Sequence, residues 1–129
     1  MTDSRDMLAF ADRFMSALEG SDREAVRAFY APDAKLWHNY DNVAQTVDEN
    51  LKMFDWMSRK LPQRRYRVVR REVLHDGWFQ QHVVEATLPD GRPFRLFACC
   101  VLTVQDGVVT RLEEYVDPAQ ASVLREVKA

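Results

Sequence analysis

Two cysteines, four glycines and five prolines are all that 129 residues contain of the types that staple, bend or break a chain. Cys99 and Cys100 are neighbours inside an apolar run, so on a strand their side chains face opposite ways and can join no distant segments. Disulfide scaffolding is excluded, and reduced, buried thiols are expected. No apolar run approaches the length that spans a bilayer, and the opening MTDSRDM leads into no signal-like apolar core. The expectation is a cytoplasmic protein without membrane contact. Nor does one sign of charge dominate: 18 basic against 20 acidic residues leave a net charge of -2, with no electrostatic pull toward nucleic acid or anionic lipid. The three histidines and two cysteines form no His-x-His, no helical i, i+4 histidine pair and no Cys-x-x-Cys. Neither a metal nor a cofactor is expected.

What is present has an ordinary globular balance, 47% hydrophobic and 29% charged, in a length suited to one core and a single domain over residues 1–129. Gly77, Gly91 and Gly107 each follow an aspartate, and Asp-Gly is a strong signal for a tight hairpin. Three such signals predict four successive antiparallel strands over 65–75, 78–88, 93–105 and 108–116. Before them, Met7, Phe10, Ala11, Phe14 and Leu18 recur at helical spacing up to Gly20. A shorter helix buries Ala25, Val26 and Phe29 before Pro32, and a short strand follows over 34–39. Thr46-Val47-Asp48-Glu49 is a capping-box pattern that opens a third helix, with Val47, Leu51, Phe54, Met57 and Leu61 on one face until Pro62. A last turn of helix can begin at Asp117. Helices gathered on one face of an antiparallel sheet make an α+β domain.

This order and the stretches FADRFMSALEGSDREAVRAFYAPDAKLWHN, LPDGRPF and DGVVTRLEEYVD resemble the nuclear transport factor 2-like superfamily, in particular its SnoaL-like branch. The resemblance implies a cone-shaped, curved antiparallel sheet wrapped around a long helix with two N-terminal helices, a cystatin-like α+β barrel. It also implies an apolar cavity and a homodimer joined through the outer sheet face. Polyketide cyclases, ketosteroid isomerases, epoxide hydrolases and proteins with no chemistry share this fold, so the reaction has to be read from the site.

On the strand 93–105 the even positions Phe94, Leu96, Ala98 and Cys100 share an apolar face, and with Phe54 of the long helix they are expected to line a cavity or simply to pack a core. Asp117 has two readings. With Pro118 it is a favoured helix start; Tyr115-Val116-Asp117 also resembles the place where related hydrolases and cyclases carry an acid or base. Trp37 and Asn39 correspond to a tyrosine and an asparagine that, in limonene epoxide hydrolases, hold the attacking water with that aspartate. Asn39 fits, whereas the indole of Trp37 donates one hydrogen bond and accepts none. Gln81 and Val83 stand where those enzymes carry an arginine and an aspartate, so their chemistry does not transfer. The ketosteroid isomerase base falls near Asn39, whose amide cannot take a proton.

On 78–88 the resemblance turns the Gln81 face inward, and the run Val84, Ala86, Leu88 favours the His82 face; both stay open. His38 and His82 are candidate proton relays or satisfied core histidines, and His75 belongs to the surface. The arginines of RRYRVVRRE, residues 64–72, suit cross-strand pairs with Glu85, Glu113 and Glu114 better than they suit phosphate. Two functions are expected. One is a cofactor-independent isomerase, cyclase or hydrolase acting on a small apolar organic molecule, with Asp117 as acid or base, Asn39 with Trp37 or Tyr115 orienting a water, and His38 or His82 relaying a proton. The alternative is a binding or dimeric interaction module.

Overall fold

The computed structural model describes residues 3–127. Helix α1 (Ser4–Glu19) starts where the Asp3 side chain accepts from the amides of Arg5 and Asp6, and it buries Met7, Ala11, Phe14 and Met15. Asp22 caps the short α2 (Arg23–Arg27) in the same way. Strand β1 (Tyr30–His38) begins four residues before the expected start, because its register against its neighbour breaks between Tyr30 and Lys35 and accommodates Pro32 there. A three-residue edge strand, β2 (Val43–Gln45), was not foreseen. The capping box of Thr46 and Glu49 opens α3 (Val47–Lys60), which buries Val47, Leu51 and Phe54. Then come β3 (Arg65–Leu74), β4 (Gly77–Thr87), β5 (Pro93–Gln105) and β6 (Val108–Val116), and two four-residue helices, α4 (Pro118–Ala121) and α5 (Val123–Glu126).

The six strands form one curved, unclosed sheet in the order β2-β1-β6-β5-β4-β3. One pairing departs from the expected antiparallel sheet: β1 runs parallel to β6. The chain between them, α3 and four strands, is long enough to return for a parallel pairing, which a tight turn cannot do. Two one-residue bulges interrupt the alternation of faces. In β3 the extra residue is Val69, between the pairs Val68–His82 and Arg70–Gln81. In β6 it is Thr110, between Val109–Val104 and Arg111–Thr103.

The concave face is packed at both ends. At one, Phe14 meets Phe29, Tyr30 and Trp78 edge-on, with ring centroids 5.5, 5.7 and 5.9 Å away. Gly77 lets this end close: a Cβ there would lie 1.7 Å from the Leu102 carbonyl oxygen. At the other end Leu61, Val84, Leu88, Phe94 and Leu96 pack against Leu124 and Val127 of the C-terminal segment. Arg64, 1% exposed, ties the helices together by donating to the carbonyls of Leu61, Leu18 and Gly20. It is therefore not one of the outer-face arginines; Arg67, 3.1 Å from Glu85, is.

Candidate functional site

Between the two packed ends lies an inner chamber of about 90 Å³, lined by Phe14, Met15, Phe54 and Leu96 together with Tyr30, Tyr66, His38, His82, Cys100 and Glu114. An outer chamber of about 410 Å³ continues from it under α4 and α5, lined by Tyr40, Lys52, Trp56, Ala121, Leu124 and Arg125 among others. His38, Met53, Met57, Leu96 and Glu114 line both chambers and so form the neck between them. Phe94 is buried in the second packed end and lines neither.

Glu114 is the only carboxylate among the described residues lining either chamber. Strand β6 turns it inward between Leu112 and Val116, opposite Cys100 of β5 and His38 of β1. His38 Nε2 lies 3.3 Å from Glu114 Oε1, and 26% of the Glu114 side chain remains accessible, through the cavity. Burial pushes this carboxyl up, but the hydrogen bond and charge from His38, joined by the charge that His82 takes on in acid, outweigh it and hold Glu114 below the ordinary carboxylate range. It is an ionised group at neutral pH. His38 is itself buried, stacks against Tyr40 and leaves Nδ1 without a protein partner.

His82 settles the open question on β4: Trp78, Gln80, His82 and Val84 face the interior, and Gln81 is exposed on the outside. Desolvation lowers the His82 pKa, with Arg71 adding to the effect and Glu114 opposing it, so the ring is neutral at pH 7. Its Nδ1 lies 3.0 Å from the Gln80 amide nitrogen, and its Nε2 is buried without a partner. Burial also raises the phenols of Tyr30 and Tyr66, the latter to about 12 with Arg64 pulling the other way, and it lifts the Cys100 thiol. These three remain protonated, polar and neutral in the cavity wall.

Ala98 lines the inner chamber, whereas Asp117, Asn39, Trp37, Gln81 and Tyr115 line neither chamber. The Asp117 carboxylate is exposed and accepts from the amide of Ala119 at 2.9 Å, the N-cap bond of α4. Asn39 uses its whole amide on one residue, accepting from Val116 N at 2.9 Å and donating to Val116 O at 3.2 Å. The Trp37 indole donates to Asn42 Oδ1 and packs edge-on against Tyr115. These bonds hold the backbone and the loop: Asp117 caps α4, Asn39 bridges to Val116 and Trp37 ties down Asn42. Gln81, Tyr115 and Asp117 line a depression of about 520 Å³ on the convex face with Val69, Phe97 and Cys99. It is open to solvent, and His82, Val83, Ala98 and Val116 also border it.

Glu114 corrects the expectation of an outer-face partner for arginine. The signal lay in the alternation itself, which groups Leu112, Glu114 and Val116 and so sets one charge on an apolar face. Gln80, Tyr30 and Tyr66 were likewise not singled out as site residues. Among the described residues no three His, Cys, Asp or Glu side chains cluster as metal ligands.

A profile of the SnoaL-like domain family matches residues 11–112. The chain belongs to this family. Within the curated proteins the sequence finds no match. Solved structures resembling this SnoaL-like domain include AclR of Streptomyces galilaeus, named as a candidate hydroxylase, at TM-score 0.84 and 15% identity over 98% of this chain and 85% of that one. PrhC of Penicillium brasilianum gives TM-score 0.82 and 16% identity over 93% and 85%. IdmH of Streptomyces antibioticus, named as a candidate polyketide cyclase, gives 0.79 and 18% over 93% and 98%. At such identities the likeness concerns the fold, the cone expected of the nuclear transport factor 2-like superfamily. No helix of the described residues is long and apolar enough to cross a membrane.

Proposed function

We propose that the chain binds a small, largely apolar organic molecule bearing a carbonyl and moves a proton on it, with Glu114 as the base. The observation that carries this is the Glu114–His38 pair at the neck, a single ionised carboxylate facing a largely apolar cavity. A carboxylate held below its usual range is a weak base, so it suits a carbon acid flanked by two carbonyls better than a simple ketone. The C–H bond breaks, its proton passes to Glu114, and the electron pair moves onto the carbonyl oxygen, which His82 Nε2–H stabilises by donation. Returning the proton to another carbon isomerises the substrate; attack of the enolate carbon on a second carbonyl closes a ring, the π pair of that carbonyl moving to its oxygen, which takes the proton back from Glu114. Neither outcome needs a cofactor. The name of IdmH agrees with the second.

Proton exchange in D2O tests the proposal, followed by loss of the α-proton signal of a cyclic β-keto ester. The wild type is expected to exceed the buffer rate, and Glu114→Gln to lose about 100-fold or more of the excess. Binding of the ester without faster exchange would sink the enzyme and leave a binding module.

The same proposal includes a homodimer through the convex face, where Val69, Phe97 and Tyr115 are 58%, 53% and 50% exposed around the Asp117 depression. Light scattering is expected to give twice the chain mass for the wild type and a monomer for Phe97→Lys. The free thiols fit a reducing, cytoplasmic setting. Arg67, Arg70 and Arg71 of β3 lie against Glu85, Glu72 and Asp12, which supports a partner list without nucleic acid.

A further inference from the structure

A chain of hydrogen bonds behind His82 fixes more than its orientation. Gln80 is fully buried, and its Oε1 lies 2.9 Å from Arg71 Nε and 3.3 Å from Trp78 Nε1. Both of those nitrogens can only donate, so this end of the amide is its oxygen. The other end, the NH2 group, then faces His82 Nδ1 at 3.0 Å. An amide NH2 has no lone pair to offer, so Nδ1 is the acceptor and the proton of the neutral ring sits on Nε2. That Nε2–H is buried and meets no protein acceptor. An imidazolium would set Nδ1–H against the amide NH2, and turning the amide over would set its NH2 against Arg71 and Trp78 instead. Arg71 is anchored in turn by Asp12 at 2.7 Å.

We infer that Gln80 is a positioning residue that holds His82 in its Nε2–H form, and that the inner chamber consequently takes a ligand head presenting an acceptor oxygen. The second half rests on the reading of the cavity as a ligand site. A chamber of about 90 Å³ holds a head of a few atoms, such as a carbonyl with its neighbours, while the ligand body occupies the larger chamber. The buried donor without a partner is the feature that such an oxygen would satisfy, since a buried N–H left without an acceptor is destabilising. Of the groups around the ring, Glu114 draws a second proton to it, while Arg71 opposes one; Tyr66, its ring centroid 5.5 Å away, and Cys100 stay neutral.

Nitrogen NMR on the full chain labelled with 15N-histidine reads the tautomer directly, with His38→Gln and His75→Gln assigning the three rings. At neutral pH the wild type is expected to show His82 protonated at Nε2 alone. Gln80→Glu puts an acceptor against Nδ1 and is expected to move the proton there or to charge the ring. Gln80→Met fills the space without a dipole and is expected to give a tautomer mixture, which keeps the test available should the first variant fail to fold. Wild-type His82 protonated at Nδ1, or a ring unchanged in both variants, would overturn the positioning role. Titration with cyclohexanone tests the acceptor: His82 Nε2 is expected to shift together with the Met53 and Met57 methyls. Shifted methyls with an unmoved nitrogen, or no shift in either, would overturn that half. Neither readout depends on turnover, so an inactive protein in the exchange assay leaves the tautomer result standing.

Discussion

Asp117 and Glu114 stand three residues apart, and the pleat of one strand assigns them opposite work. At Asp117 both sequence readings were physically sound, since Asp-Pro is a good helix start and a carboxylate at a strand end is a good base. The geometry gives it the cap. Asp117→Ala is expected to cost about 1 kcal/mol, measured by urea unfolding, and to leave the exchange rate within about twofold of wild type. A loss comparable to that of Glu114→Gln would return the catalytic role to Asp117. Asn39 teaches the same lesson: which atoms an amide has left over depends on a chain segment 77 residues away, and no local pattern carries that information.

At the scale of elements, the punctuation of the sequence was legible because turns are local. Asp106 and Gly107 both have positive φ, and so does Gly91, as hairpin turns of this kind require. Gly77 is glycine for a different reason: the Leu102 backbone occupies the place of a side chain. Gly77→Ala is thus expected to destabilise the fold by about 2–3 kcal/mol in urea unfolding, as overpacking does, with Gly91→Ala limited to turn strain. The bulges account for much that was not legible. Reading β6 in twos groups Val108 with Leu112, yet Val109 is the fully buried one, because Thr110 resets the count. Val69 does the same in β3, so that Arg71 rather than Arg70 reaches Gln80. Alternation holds only between bulges, and a bulge has no composition of its own in a strand of valines and arginines.

For the whole molecule, the cone was legible through helix and strand order and through family likeness, whereas the cavity was not, because hollow and packed interiors use the same apolar residues. The interior also sets the pH range of stability. His82 and Glu114 both have pKa values lowered by folding, so the unfolded chain binds more protons and stability rises with pH. The His82 contribution should decline as pH falls below about 6.5, the ordinary histidine value, and that of Glu114 below about 4.5. Tyr66, raised to about 12, works oppositely: the unfolded chain ionises first, and stability falls above about pH 10. Thermal melts across pH are expected to show a plateau between these limits. His82→Phe should flatten its descent between pH 6.5 and 5; an unchanged descent would remove His82 from the account.

The amide of Asn39 also has a bearing on how a small molecule gets in. By gripping both polar groups of Val116 it continues the β1–β6 seam past the last regular pair, so that wall of the vestibule is clamped shut. The roof opposite is two helices of four residues each, the second without a side-chain cap. Under the proposed function the ligand is expected to enter past α4 and α5, on the side away from the seam that a residue with no proton to give holds together.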